Sequence, residues 1–429
     1  MHDTQALQIS PMLSRPRTRE RLLLILAGSF TLLGCALLAL ANPLDLNPGA
    51  YAAAPIVWVL TFGAAHALLN RSLPERDPLI LPVAGLLSGW GLLMVARLSR
   101  GDYPRQMIWL ALGIAVMLAV AAAPRELRWL RRYRYTWLIG GLALLAATLV
   151  FGVNPSGQGQ ALWLGFGRIF FQPSEVIKLL IIVFMASYLA DKRDLQLVMR
   201  VAPGAVNPAY LAPMLLMWGI AMAILLVQQD LGAAMLLFLA FLVMLYLASG
   251  RGVYLLAGGG LLIVAVLIGY AWVGRVAERI DIWLNPWAAA DTSGYQIVQS
   301  LIGIGSGGLI GQGLGLGDPV VPASHTDMPL AVIGEEFGLA GALGLVACYA
   351  LLTQRGLRAA ARSRTVFGGL LAAGLATLIG MQAWIIMAGN VNLIPLTGIT
   401  LPFVSYGGSS MLVSFAMVGL LLHVSADAD

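Results

Sequence analysis

The sequence predicts an all-α protein that crosses a membrane many times, and three observations carry that prediction. Only 11% of the 429 residues are charged, against 59% hydrophobic, and the mean hydropathy is +0.84. A soluble domain carries about a quarter charged residues. Apolar runs long enough to cross roughly 30 Å of hydrocarbon recur along the whole chain. Backbone amides within lipid are satisfied only in helices or closed barrels, and runs of this length read as helices.

Twelve spans are expected, at about residues 23–41, 51–69, 79–96, 106–123, 136–152, 175–190, 210–228, 231–248, 253–273, 328–352, 366–388 and 408–424. They divide the chain into a cytoplasmic tail (1–22), a group of N-terminal helices (23–152), a core (153–424) with a large extracytoplasmic loop at 274–327, and a second cytoplasmic tail (425–429). Nineteen of the 26 lysines and arginines fall on the side of the N-terminus, beginning with Arg15, Arg17, Arg19 and Arg21, and six fall in the opposite loops. That bias places both termini in the cytoplasm. The loop RLSRGDYPR (97–105) fits least well, because it sets three arginines outside.

The net charge of +6 is therefore a topology signal, and no compact basic patch points to nucleic acid. Cys35 and Cys348 both lie within expected spans, which argues against a disulfide framework. The first apolar run is full-length and lacks a small-residue cleavage site, so no cleavable signal peptide is expected.

Chemistry concentrates in four stretches, 153–175, 228–230, 274–336 and 389–410, all opening on the extracytoplasmic side in this topology. In FQPSEVIKLL (171–180), Pro173 suits a helix start and Glu175 and Lys178 share one face three residues apart. They form either a structural ion pair or, since intramembrane charges mark function, a site at which Lys178 attracts an anionic headgroup. Asp230, before Leu-Gly-Ala-Ala, reads either as an N-cap or as a wall of the cavity that Lys178 enters.

The loop 274–327 is too long for a simple connector, and residues 297–304 could form a short amphipathic helix in it. Its glycine run GIGSGGLIGQGLGLG (303–317) follows no strand and precedes no Gly-Lys-Ser/Thr, so a phosphate-cradling loop is a weak reading. In PASHTDMPLAVIGEEFG (322–338), His325 and Asp327 stand at a helix entrance, with a spacing poorly suited to metal ligation. Glu335 and Glu336 lie two turns inside, either hydrogen-bonded structurally or touching a ligand. The stretch IPLTGITLPFVSYGGSSM (394–411) is broken by Pro and Gly, which suits a re-entrant or capping element beside a wet cavity.

Taken together, FQPSEVIKL, QQDLGAA, NPW…SGYQIVQSLIGIGSGGLIGQGLGLG, HTD…AVIGEEFGLAG and LIPLTGITLPFVSYGGSS resemble the SEDS family (shape, elongation, division and sporulation), the FtsW/RodA-type peptidoglycan glycosyltransferases. The motifs cover about residues 161–420, in the family's order. The family's usual core has ten helices, so two N-terminal spans look like an addition. The resemblance implies polymerisation of lipid II, an undecaprenyl-pyrophosphate-linked disaccharide pentapeptide, at the outer face of the cytoplasmic membrane, alongside a class B penicillin-binding protein. It implies substrate contacts from Glu175, Lys178, Asp230, Tyr295, Gln296 and Ser300, and from His325, Asp327, Glu335, Glu336, Ser405 and Tyr406. No cofactor is certain, and Mg²⁺ or Mn²⁺ stays open. A sugar hydroxyl attacks an anomeric carbon as pyrophosphate leaves, which calls for one carboxylate base and for cations near the leaving group. Inversion at that carbon needs no covalent enzyme intermediate.

The family's presumed base is an aspartate in Asn-Pro-Trp-x-Asp-Pro. Counted from Asn285 or back from Gly294-Tyr295-Gln296, that position is Ala289 here, and Asp291 stands two places later. Three readings are open: Asp291 takes over in a remodelled loop, the chain is inactivated, or the base lies elsewhere, with Asp281 and Asp230 as candidates. Two functions of other classes compete with the polymerase, a lipid II flippase and a non-catalytic scaffold binding lipid II or the transpeptidase. No convincing internal repeat favours the flippase.

Overall fold

A computed structural model describes residues 16–41, 49–124, 127–155, 160–167, 169–191, 208–318 and 321–427. Arg15 and most of the expected N-terminal tail lie outside them. Helices occupy every expected span: α1 (Pro16–Ala41), α2 (Gly49–Ser72), α3 (Ile80–Leu98), α4 (Tyr103–Ala121), α6 (Arg134–Phe151), α7 (Pro173–Asp191), α8 (Pro208–Val227), α9 (Leu231–Ser249), α10 (Val253–Trp272), α13 (Pro329–Arg362), α14 (Val366–Asn390) and α15 (Gly408–Ala426). Among the described residues eleven are long and apolar enough to cross a membrane, and the apolar part of α8, Ala212–Val227, is shorter. Three further helices are α5 (Arg128–Arg132), α11 (Gly274–Leu284) and α12 (Tyr295–Gly307).

Two features depart from the sequence reading. Helix α13 continues to Arg362 instead of ending near 352, because a helix beyond its apolar stretch keeps its own hydrogen bonds and can carry the exposed Arg358 and Arg362 into water. Before α7 the chain folds into a three-stranded antiparallel sheet, β1 (Gly152–Val153), β2 (Trp163–Phe166) and β3 (Ile169–Phe171), in the order β1-β2-β3. These strands are too short to show a period in the sequence.

Helix α3 is the centre of the bundle, with residues 80–96 all buried except Leu86. Small residues allow its neighbours to close in: Gly85 meets the rings of Trp58 and Phe62, Gly89 faces Thr31, and Gly91 abuts the backbone of Phe403 and Val404. The N-terminal pair α1–α2 is held to this centre by a buried polar knot. Arg76 donates to Glu20 (2.5 Å) and to Asn70 (2.9 Å), and the His66 ring lies 2.7 Å from Glu20. Next to it Asp77 pairs with Arg355 of α13.

Two of the three arginines in the 97–105 loop have carboxylate partners. Arg97 pairs with the buried Glu336 at 3.0 Å, and Arg105 with Asp102 at 3.3 Å.

Candidate functional site

Helix α7 begins at Pro173, so Glu175 falls in its first turn and Lys178 one turn deeper. The two form an ion pair at 2.8 Å, and Lys178 also donates to Oε1 of Gln382 (3.0 Å) on α14. Gln382 in turn donates to the Thr400 carbonyl at 2.8 Å, which fixes the broken 391–407 segment over the cluster. Lys178 is only 2% exposed, so the structure seals it within protein. Asp230 is the N-cap of α9, accepting from the Ala233 amide at 3.1 Å. Its second oxygen and the Ser174 hydroxyl are both buried, Ser174 stands against the Asp230 carboxylate, and Asp230 lies within electrostatic reach of Lys178. The N-cap reading of Asp230 matches the structure; it also borders the lysine, but Lys178 is enclosed by protein and enters no open cavity there.

Helix α11 carries two faces. Arg279 donates to the carbonyls of Leu396 (2.9 Å) and Thr397 (3.1 Å), pinning the helix to the broken segment. A side-chain carbon at Gly398 would stand 3.8 Å from Arg279 and 3.9 Å from Asp327, so the two charges flank that glycine. Burial raises the Asp327 carboxyl above its ordinary value, against the opposing effects of Thr326 and Arg279. Burial also holds His325 below the ordinary histidine value, opposed by Asp102. His325 sits by Tyr406, with ring centroids 6.0 Å apart and the Tyr406 amide donating to the His325 carbonyl at 2.8 Å. The Ser405 hydroxyl donates to the Thr326 carbonyl, and Ser300 to the Asn390 carbonyl at 2.7 Å. Gln296 donates to the Pro322 carbonyl at 3.1 Å, and the half-buried Tyr295 opens α12.

Glu335 and Glu336 belong to a different construction. At Gly338 helix α13 leaves helical geometry (φ 65°, ψ −165°), which frees two carbonyls and two amides. The glycine-rich loop takes them up. Gln312 and Gly313 donate to the carbonyls of Glu335 (2.9 Å) and Glu336 (3.0 Å), while Leu339 and Ala340 donate to Gly308 (2.9 Å) and Leu309 (3.2 Å). The Glu335 carboxylate accepts from the Asp318 amide at 2.8 Å. Arg97, holding Glu336, also donates to the Gly317 carbonyl at 2.7 Å. These glutamates tie the loop to α13, as broken helices in lipid require.

The other face of α11 lines a groove of about 660 Å³ together with the turn Pro286–Ala289, within the roughly 300–1,000 Å³ range of ligand sites. Gly274, Ala277, Glu278, Asp281 and Asn285, at helical spacing, form one wall, and Ala288, Ala289 and Ser293 close the end. Asp281 accepts from the Tyr270 hydroxyl at 3.0 Å. Asp291 lies in the exposed turn that follows and is not among the residues lining the groove. Among the described residues no three His, Cys, Asp or Glu side chains group so as to hold a metal ion.

A family model described as cell cycle protein, FtsW/RodA/SpoVE, matches residues 79–429. The chain belongs to this family. In this member of the FtsW/RodA/SpoVE family the match begins at the threshold of α3, so α1 and α2 precede the matched residues. It is 37% identical over 438 residues to a protein of Mycobacterium tuberculosis named peptidoglycan glycosyltransferase RodA, covering 98% of this chain and 92% of that one. Among solved structures, its fold is similar to a chain of a peptidoglycan synthase complex described as coordinating polymerization and crosslinking, with TM-score 0.69, 27% identity and coverage of 82% of this chain and 98% of that one. It is likewise similar to an Asp-to-Ala mutant of the Thermus thermophilus rod shape determining protein RodA, with TM-score 0.61, 25% identity and coverage of 82% and 98%.

Sequence reasoning passed over Gln382, Arg279, Arg97 and Asn390. Gln382 was open to the rule already applied to Lys178, that a polar side chain within a span needs a partner. Asn390 donates to the Asp327 carbonyl (2.8 Å) and accepts from the Leu330 amide (3.1 Å), so it fixes the entrance of α13. No local pattern announces such a contact.

Proposed function

We propose that this chain polymerises lipid II into glycan strands at the outer face of a bacterial cytoplasmic membrane, with both termini in the cytoplasm. A class B penicillin-binding protein crosslinks the product as its partner. One observation supports the reading most: α11 carries a water-open groove on one face and is anchored on the other to the segment covering the Glu175–Lys178 cluster. A sugar headgroup in the groove would therefore rest on a helix held rigidly to the bundle, with the carboxylates of Glu278 and Asp281 on its wall. The solved relative whose description joins polymerization to crosslinking supports the pairing with a transpeptidase.

The test is glycan chain growth from labelled lipid II by the purified protein, run beside Ala289→Asp. Growth by either form is the expected result. Translocation or binding of lipid II without growth in both would replace the polymerase with a flippase or a scaffold.

A further inference from the structure

We infer that Asp281 is the general base of this chain, an inference that rests on the polymerase reading above. The chemistry needs a carboxylate that meets water and substrate, is held in place, and has an oxygen free to accept a proton. Four nearby aspartates fail one of these conditions. Asp230 spends one oxygen on the α9 cap and faces protein with the other. Asp327 is not on the groove wall and stands beside Arg279 at Gly398. Asp318 is in the glycine-rich loop, away from the groove wall, and Asp291 stands on an exposed turn outside it.

Asp281 meets all three. It is exposed, it lines the groove, and the Tyr270 hydroxyl fixes its Oδ1 at 3.0 Å. Its Oδ2 takes no hydrogen bond or ion pair among the described residues. Its carbonyl accepts from the Asn285 amide at 2.9 Å, so it stands one helical turn above the closed end where Ala288 and Ala289 leave room for a sugar ring. Glu278 shares the wall but lies a further turn from that end and has no hydroxyl to orient it.

In the step so assigned, the attacking sugar hydroxyl gives its proton to Asp281 Oδ2 and its oxygen forms the bond to the anomeric carbon. The bond from that carbon to the diphosphate oxygen breaks, and its electron pair leaves with the diphosphate. Asp281 then returns the proton to water. Tyr270 is a positioning residue.

Lipid II polymerisation by the wild type, Asp281→Asn, Asp281→Glu, Glu278→Gln and Asp281→Asn combined with Ala289→Asp tests this. Loss of a general base costs about 10²–10⁴-fold, so Asp281→Asn should fall by at least about 100-fold, with Asp281→Glu retaining more. An aspartate at 289 should restore the combined variant, which also shows that the protein remains folded. Turnover by Asp281→Asn within a few-fold of wild type would overturn the assignment, as would a loss confined to Glu278→Gln. So would a wild type that is silent until Ala289→Asp is introduced, although the polymerase reading would then survive. Silence of both wild type and Ala289→Asp would remove both.

Discussion

Around Lys178, charge is enclosed: its ammonium meets Glu175 and Gln382, and protein covers all three. Along α11, charge is displayed, with Glu278 and Asp281 lining an open groove and the Tyr270 hydroxyl donating to the aspartate. The two regions use the same residue types at the same end of the bundle. Their difference lies in the helices carrying them. Helix α7 is buried along almost its whole length, whereas α10, which presents Tyr270, buries only Gly258. Enclosed charges hold structure because each depends on its partner, and displayed charges are free to meet a substrate.

Substituting into the enclosed pair should give the largest effect. Lys178→Ala leaves Glu175 buried without its counter-charge, a change that costs about 3–5 kcal/mol. A large drop in the thermal unfolding midpoint in detergent is expected, and an unchanged midpoint would mean that water reaches the cluster. A smaller loss, about 1–3 kcal/mol, is expected for Gly311→Ala. Gly311 has φ +92° and lies against the Glu336 carbonyl, so a methyl group there pushes the loop off α13; protease nicking of the 308–318 loop would report it. Asp281→Ala should shift the midpoint by no more than about 0.5 kcal/mol, and a larger shift would make Asp281 a structural tie.

The smallest effect is in pH. Burial holds His325 below its ordinary value of 6.5, so the unfolded chain takes up a proton that the folded one resists. Stability is then full above pH 6.5 and declines as the pH falls through that value towards the folded one. His325→Gln should flatten that slope in thermal melts across the same interval.

The spans were legible because bilayer thickness sets a length any apolar run reveals, and the Glu175–Lys178 pair because helical period places residues three apart together. Asp281 was visible only as one of several aspartates. What singles it out is Tyr270, eleven residues away on a separate helix, and the bend at Val273 that brings the two together. The exchange of hydrogen bonds at Gly338 was hidden for a related reason: Gly311 and Gly338 look like ordinary flexibility until the loop is seen lying in the break. Glu335 and Glu336 therefore read either as structural hydrogen-bonders or as ligand contacts, and in the structure they meet the loop and Arg97.

The small residues of α3 also bear on α1 and α2, which lie outside the family match. Gly89 is shaped to Thr31, Gly85 to Trp58 and Phe62, and Leu93 nests on Gly34. A shortened chain starting at residue 79 would turn those hollows towards acyl chains and leave Arg355 without Asp77. The leading hairpin is thus an inner wall of this protein, and a version lacking it would need a lipid or another polypeptide to fill the same seam.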